Sequence, residues 1–156
     1  MHITTHSENE TLKLGKIIAK YLKPGDIVCL MGELGTGKTI LTKGIAVGLR
    51  IDKSKITSSS FILIRAHLEG RLPLYHFDLY RLEDIKSISL LGYEEYIYGD
   101  GVSIIEWAKR LKSLAPLECL RLELFHRLNS DRLIKFYAKG KRYKKIASQI
   151  YEDISH

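Results

Sequence analysis

The stretch Gly32-Glu33-Leu34-Gly35-Thr36-Gly37-Lys38-Thr39 satisfies the pattern G-x-x-x-x-G-K-[ST] in full. It follows a five-residue apolar run, Ile27 to Met31, and precedes Ile40, Leu41, Ile45, Val47 and Leu49, which recur in a mainly helical pattern. Strand, glycine-rich loop and helix, in that order, form the context in which this motif carries chemistry. Glycines let successive backbone N–H groups converge on phosphate oxygens, and the helix N-terminus adds positive dipole where negative charge lies. Glu33, Leu34, Gly35, Thr36 and Gly37 supply the loop backbone. Lys38 offers a point charge to β- and γ-phosphates, and the Thr39 hydroxyl a ligand for the magnesium ion that bridges them. A glycine turn that binds nothing is the competing reading, and the completeness of the motif and its flanks argues against it.

The rest of the chain reads as elements around that centre. Ser7-Glu8-Asn9-Glu10 fits a capping box ahead of Leu14, Ile17, Ile18, Tyr21 and Leu22, which predicts a helix from about Glu8 to Leu22, ended by Pro24-Gly25-Asp26. The run Ile27 to Met31 is long enough for a strand buried on both faces and too short for a helix between breakers. Phe61 to Ile64 and Leu72 to Phe77 flank Glu69-Gly70 and predict an antiparallel hairpin at a sheet edge, where Pro73 is tolerated. Further strands are expected at Val102–Ile105, Leu120–Phe125 and Leu133–Tyr137, with a last helix from about Arg142 to Ile154 that faces inward through Tyr143, Ile146, Ala147 and Ile150. At 156 residues this amounts to one α/β domain.

An ATPase needs a carboxylate to hold magnesium or orient water. Glu106, at the end of the apolar strand Val102–Ile105, and Asp78, at the end of Leu74–Phe77, both qualify; a surface salt bridge is the plain alternative for either. A guanine nucleotide is not expected, because the only asparagines, Asn9 and Asn129, are followed by Glu10 and Ser130 and no N-K-x-D element exists. A small-molecule kinase, with Asp78-Leu79-Tyr80-Arg81 as its substrate-binding acid and arginine, is the better competitor. Such enzymes usually open on their phosphate loop, whereas here a helix comes first.

Charge is uneven. Residues 1–108 hold 13 basic and 13 acidic residues, while residues 109–156 hold 12 and 5, so the whole net charge of +7 is C-terminal. Lys139, Lys141, Arg142, Lys144 and Lys145 form its densest part, which reads equally as a surface for nucleic-acid phosphates or acidic protein and as a solvated helix face. Cys29 and Cys119 sit in apolar runs and read as core residues. No apolar run approaches the roughly 20 residues of a transmembrane helix, and the first residues lack the pattern of a signal peptide, so no membrane contact is expected and the cytoplasm is the default location.

With Gly32–Thr39, Tyr75-His76-Phe77-Asp78-Leu79-Tyr80-Arg81 and Ile105-Glu106-Trp107 in hand, the chain resembles the TsaE family, formerly YjeE. Ser7-x-x-Glu10-Thr11, Gly25-Asp26, Gly70-Arg71-Leu72-Pro73-Leu74-Tyr75-His76 and Leu91-Gly92 extend the likeness over nearly the whole chain. The resemblance implies a P-loop fold with a mixed, mainly parallel sheet flanked by helices. It also implies ATP and magnesium as ligands, slow hydrolysis that matters within a complex, and a role in threonylcarbamoyl modification of the tRNA adenosine next to the anticodon. The partners it implies are a TsaD-like transferase and its TsaB-like companion, with tRNA contact left open to the basic segment. A nucleotide-switched binding module without significant turnover would need the same loop. By resemblance, Lys38 and Thr39 take phosphate and magnesium, Glu106 is the magnesium-linked acid, and Trp107 is its aromatic neighbour. Asp78, Tyr80 and Arg81 lie near the nucleotide. Ser58-Ser59-Ser60-Phe61 departs from the family's Ser-Pro-Thr-Phe, leaving Ser60 as the hydroxyl for magnesium or γ-phosphate in a looser loop. The adenine is expected between Thr11 and the turn at Lys139-Gly140.

Overall fold

The computed structural model describes residues 1–57 and 62–156. Its centre is a seven-stranded sheet in the order β1-β7-β6-β2-β5-β4-β3. The strands are β1 (His2–Thr5), β2 (Ile27–Met31), β3 (Ile64–His67), β4 (Leu74–Asp78), β5 (Val102–Glu106), β6 (Cys119–His126) and β7 (Arg132–Lys139). β6, β2, β5 and β4 run parallel, while β7 reverses against β6 and β3 reverses against β4 at the far edge. The α/β class, the mixed and mainly parallel sheet and the antiparallel edge hairpin are as expected.

Alternation along each strand divides the core between two faces. Val28, Leu30, Leu74, Ile104, Leu120 and Leu122 point to the face covered by α1 (Glu8–Tyr21), α2 (Lys38–Gly48) and α5 (Lys141–Ser155). Cys29, Phe77, Ile105 and Cys119 point to the other, which α3 (Ile85–Leu90), α4 (Tyr93–Ile97) and the 3-10 segment Ala108–Leu114 cover. β2 lies between β5 and β6 with helices on both sides, which is why its sequence is continuously apolar. Both cysteines are buried and unpaired by disulfide.

Local chemistry explains the helix ends. Ser7 caps α1 by accepting from the Glu10 backbone N–H at 3.1 Å, and the Glu10 carboxylate accepts from the His6 N–H at 2.8 Å, one residue earlier than in the usual box. α1 and α2 cross at backbone contact through Gly15 and Gly44, where a Cβ on Gly44 would stand 2.3 Å from the Leu12 carbonyl oxygen. At the start of α5, Arg142 forks onto Asp26 at 2.7 and 3.2 Å and donates to the Tyr21 carbonyl, tying the helix to the turn before β2.

Three placements differ from expectation. The first hairpin strand, expected at Phe61–Ile64, runs from Ile64 through Arg65 and Ala66 to His67, with Phe61 outside the described residues; the turn is residues 68–73, and the edge strand is more polar than the apolar run suggested. β1 and the short helices α3 and α4 lie where no element was expected. Because β7 is antiparallel, Lys139 pairs with Cys119 at the start of β6, whereas the phosphate loop leaves the end of β2, where Met31 pairs with Glu123. Arg132 and Lys139 are the two ends of an eight-residue strand, roughly 23 Å apart. The Lys139-Gly140 turn is therefore at the end of the sheet opposite the loop, and Arg132 occupies the place expected of it.

Candidate functional site

The loop bends through glycines that no other residue replaces without strain. Gly37 (φ 106°) caps α2, and a Cβ there would lie 2.7 Å from the Arg132 Nε; Gly32 (φ 146°) lies against the Leu124 carbonyl in the same way. Thr36 is buried and donates to the Glu33 carbonyl at 2.9 Å. Glu33, Leu34 and Gly35 form the exposed crest.

Lys38 opens α2, and its Nζ donates to the carbonyls of Gly32 and Glu33, each at 2.7 Å. The Trp107 ring lies 4.2 Å from that ammonium, a cation–π contact. Burial pulls the Lys38 pKa below the ordinary lysine value, and the charges of Glu106 and Asp78 oppose that shift without cancelling it.

The two candidate carboxylates end neighbouring strands in register, Asp78 opposite Glu106. Glu106 is 2% exposed. One of its oxygens accepts from the Thr39 hydroxyl at 3.1 Å, and the other is 2.8 Å from His76 Nε2. Asp78 accepts from the Tyr80 backbone N–H at 3.1 Å. Trp107, in the left-handed region at φ 60°, turns back from β5 to pack at a tilt against Tyr80, with ring centroids 4.9 Å apart and planes inclined by 43°. A cavity of about 330 Å³ lies over this group, walled by Lys38, Thr39, Asp78, Glu106, Trp107 and Arg132.

Most of the predicted site residues thus converge. Thr11 does not: it is fully buried, its hydroxyl bonded to Thr5 at 2.7 Å and to the Ser7 carbonyl at 3.1 Å, inside the first helical turn. Ser60 falls in 58–61, outside the described residues. Sequence reasoning missed Arg132, which pairs loosely with Glu8 at 3.9 Å and whose buried Nε has no hydrogen-bond partner among the described residues. Only the antiparallel return of β7 reveals it. His76 also lies outside the predicted site residues, and the sequence signal for it is a polar residue inside the buried strand β4.

A threonine hydroxyl beside a carboxylate is the hard-oxygen chemistry that magnesium takes. Among the described residues no three His, Cys, Asp or Glu side chains form a metal cage, and magnesium characteristically completes its shell with water and substrate phosphate. The donor set therefore fits a phosphate-bound magnesium ion.

Among the described residues no helix is long and apolar enough to cross a membrane. The chain is 38% identical over 154 residues to the Bacillus subtilis tRNA threonylcarbamoyladenosine biosynthesis protein TsaE, covering 97% of this chain and 96% of the relative. It is 40% identical over 116 residues to the Treponema pallidum TsaE, covering 74% and 84% of the two chains. The crystal structure of Bacillus subtilis YdiB matches with a TM-score of 0.84 at 36% identity, over 99% of this chain and 95% of that one. The family model for the threonylcarbamoyl adenosine biosynthesis protein TsaE matches residues 5–134. The chain belongs to the TsaE family, which is involved in tRNA threonylcarbamoyladenosine biosynthesis.

Proposed function

We propose that this chain is a magnesium-dependent ATP-binding protein and slow ATPase that supports threonylcarbamoyl modification of tRNA by acting with a TsaD-like transferase and a TsaB-like partner. The observation that carries the nucleotide reading is the convergence of Lys38, Thr39, Asp78 and Glu106 on one cavity beside a complete phosphate loop. When bound, magnesium neutralises phosphate charge and polarises the bond that breaks. Lys38 and the loop amides hold the phosphates, and Arg132 and Glu8 wall the same cavity beyond Gly37. Glu106 and Thr39 hold the ion, and Asp78, one strand away, is the second carboxylate for orienting water. The partners rest on family membership, and the cytoplasm is where a tRNA-modifying assembly would work.

The test is ATP turnover with and without the two partner proteins, beside direct ATP binding. Binding with turnover that rises on assembly supports the ATPase. Binding with no turnover in the complex replaces it with a nucleotide-occupancy switch, and phosphate transfer to a small acceptor would restore the kinase alternative.

A further inference from the structure

We infer that His76 is a positioning residue for the cation site: it holds the Glu106 carboxylate in the orientation that presents its other oxygen to Thr39. The inference rests on the reading of this pocket as a magnesium–nucleotide site. The His76 and Glu106 side chains are 1% and 2% exposed, so their 2.8 Å contact is made out of reach of water. A buried carboxylate needs a donor on each oxygen, and Glu106 divides its two between Thr39 Oγ1 and His76 Nε2. Nε2 is the nitrogen that faces the carboxylate, and it carries a proton in the neutral tautomer that donates here as well as in the cation.

Topology explains the pairing. β4 and β5 are parallel with Asp78 opposite Glu106, so His76 is set two residues back along the neighbouring strand. Leu74, two residues earlier again, packs against the α1–α2 side of the sheet, and by alternation His76 and Asp78 share that face with the phosphate loop. His76 is not among the residues that wall the cavity, so it acts through Glu106. Without its N–H, one carboxylate oxygen is left unsatisfied, the side chain loses its fixed orientation, and Thr39 and Glu106 no longer offer a preformed pair of oxygens. Supporting hydrogen bonds to metal-holding groups of this kind are typically worth about 10- to 100-fold in metal affinity.

The variants are His76→Leu, which removes the donor, and His76→Gln, whose amide nitrogen lies the same number of bonds from Cα as Nε2. The readout is Mn²⁺ binding by electron paramagnetic resonance with a saturating non-hydrolysable ATP analogue, beside the affinity of that analogue without divalent cation. His76→Leu is expected to weaken Mn²⁺ binding by about 10- to 100-fold, with His76→Gln recovering most of the loss and metal-free nucleotide affinity unchanged in both. If His76→Leu fails to fold by circular dichroism, His76→Asn, whose amide ends one bond short, takes its place. A folded His76→Leu or His76→Asn with wild-type Mn²⁺ affinity overturns the inference while the nucleotide reading stands. Equal losses in His76→Gln and His76→Leu overturn it too, since the donor would then not be the cause. Wild-type protein that binds neither analogue nor Mn²⁺ overturns the nucleotide reading itself.

Discussion

Gly44→Ala tests whether the phosphate loop's helix is held by backbone contact with α1. In a helix interior, glycine to alanine ordinarily stabilises by about 1 kcal/mol, because alanine restricts the unfolded chain and suits helical geometry. Here the added Cβ would lie 2.3 Å from the Leu12 carbonyl oxygen, 2.9 Å from Gly15 Cα and 3.0 Å from the Leu12 carbonyl carbon. All three are backbone atoms, so no side chain can swing aside and the helices must part. Overpacking of this sort costs about 1–3 kcal/mol, and a clash with rigid backbone belongs near the upper end. Subtracting the propensity gain leaves a net destabilisation of about 2 kcal/mol. For a chain of this size each kcal/mol is worth about 2–4 °C, so the melting temperature should fall by roughly 4–8 °C in differential scanning calorimetry. Gly15→Ala would meet the Leu41 carbonyl oxygen at 2.6 Å and Gly44 Cα at 2.7 Å. It should act similarly, and the double variant should cost less than the two singles together, because one separation of the helices relieves both clashes. The sign is decisive: an unchanged or raised melting temperature in Gly44→Ala would refute the close crossing.

Lys38→Ala and Thr39→Ala should each abolish magnesium-dependent ATP binding by isothermal titration calorimetry while circular dichroism stays native, since neither side chain belongs to the apolar core. Glu106→Gln should keep metal-free ATP affinity within a few-fold, weaken divalent-cation binding at least as much as His76→Leu, and lower turnover in the assembled complex by about 100-fold; if Asp78→Asn abolishes turnover while Glu106→Gln does not, their roles exchange. Arg142→Ala should destabilise the fold by about 2 kcal/mol in urea, because it breaks a two-pronged bond to an Asp26 side chain that is 7% exposed. Neutralising Lys141, Lys144 and Lys145 together should leave stability and ATP binding unchanged and weaken association with partner or tRNA in a salt-dependent way; unchanged association across a salt titration would make them a solvated face.

How much of this was legible in the sequence depended on where the apolar signal was strong. Ile27–Met31 between Pro24-Gly25-Asp26 and a glycine-rich loop left few alternatives, so β2, the loop and α2 were readable, as was α1 from its cap. His2-Ile3-Thr4-Thr5 has one apolar residue and becomes a strand only because β7 offers it an edge. Ile64-Arg65-Ala66-His67 is a polar edge strand, and the more apolar Ile62 and Leu63 beside it drew the expected boundary the wrong way. Gly15 and Gly44 gave a signal that was not used: glycine inside a helix costs stability and so points to a close approach. Strand direction was the largest loss. The short connection 127–131 permits only an antiparallel return, since a parallel neighbour needs a crossover of about a dozen residues, and that reversal exchanged Lys139 for Arg132 at the loop and drew Arg142 into the structural bond with Asp26.

The distribution of buried charge separates what holds the fold from what serves the site. Asp26 and Arg142 meet through an arginine fork at the closed end of the sheet, with Lys23 and Tyr21 backbone groups completing the set, an arrangement that fixes one helix on one turn. At the other end Lys38, Asp78 and Glu106 are brought together around one cavity, and Lys38 donates to two loop carbonyls and, more weakly, to the Thr36 hydroxyl. Buried charges arranged this way add little to stability, because their desolvation offsets most of their mutual attraction. The proposed nucleotide reading gives their place at the carboxyl ends of β2, β4 and β5 a reason: phosphate would give Lys38 a stronger acceptor than a carbonyl, and a divalent cation would give Glu106 a stronger partner than the Thr39 hydroxyl. On that reading the loop carbonyls and the Thr39–Glu106 bond are the contacts that nucleotide binding would exchange, which would couple the shape of the loop crest, with its exposed Leu34, to what occupies the cavity.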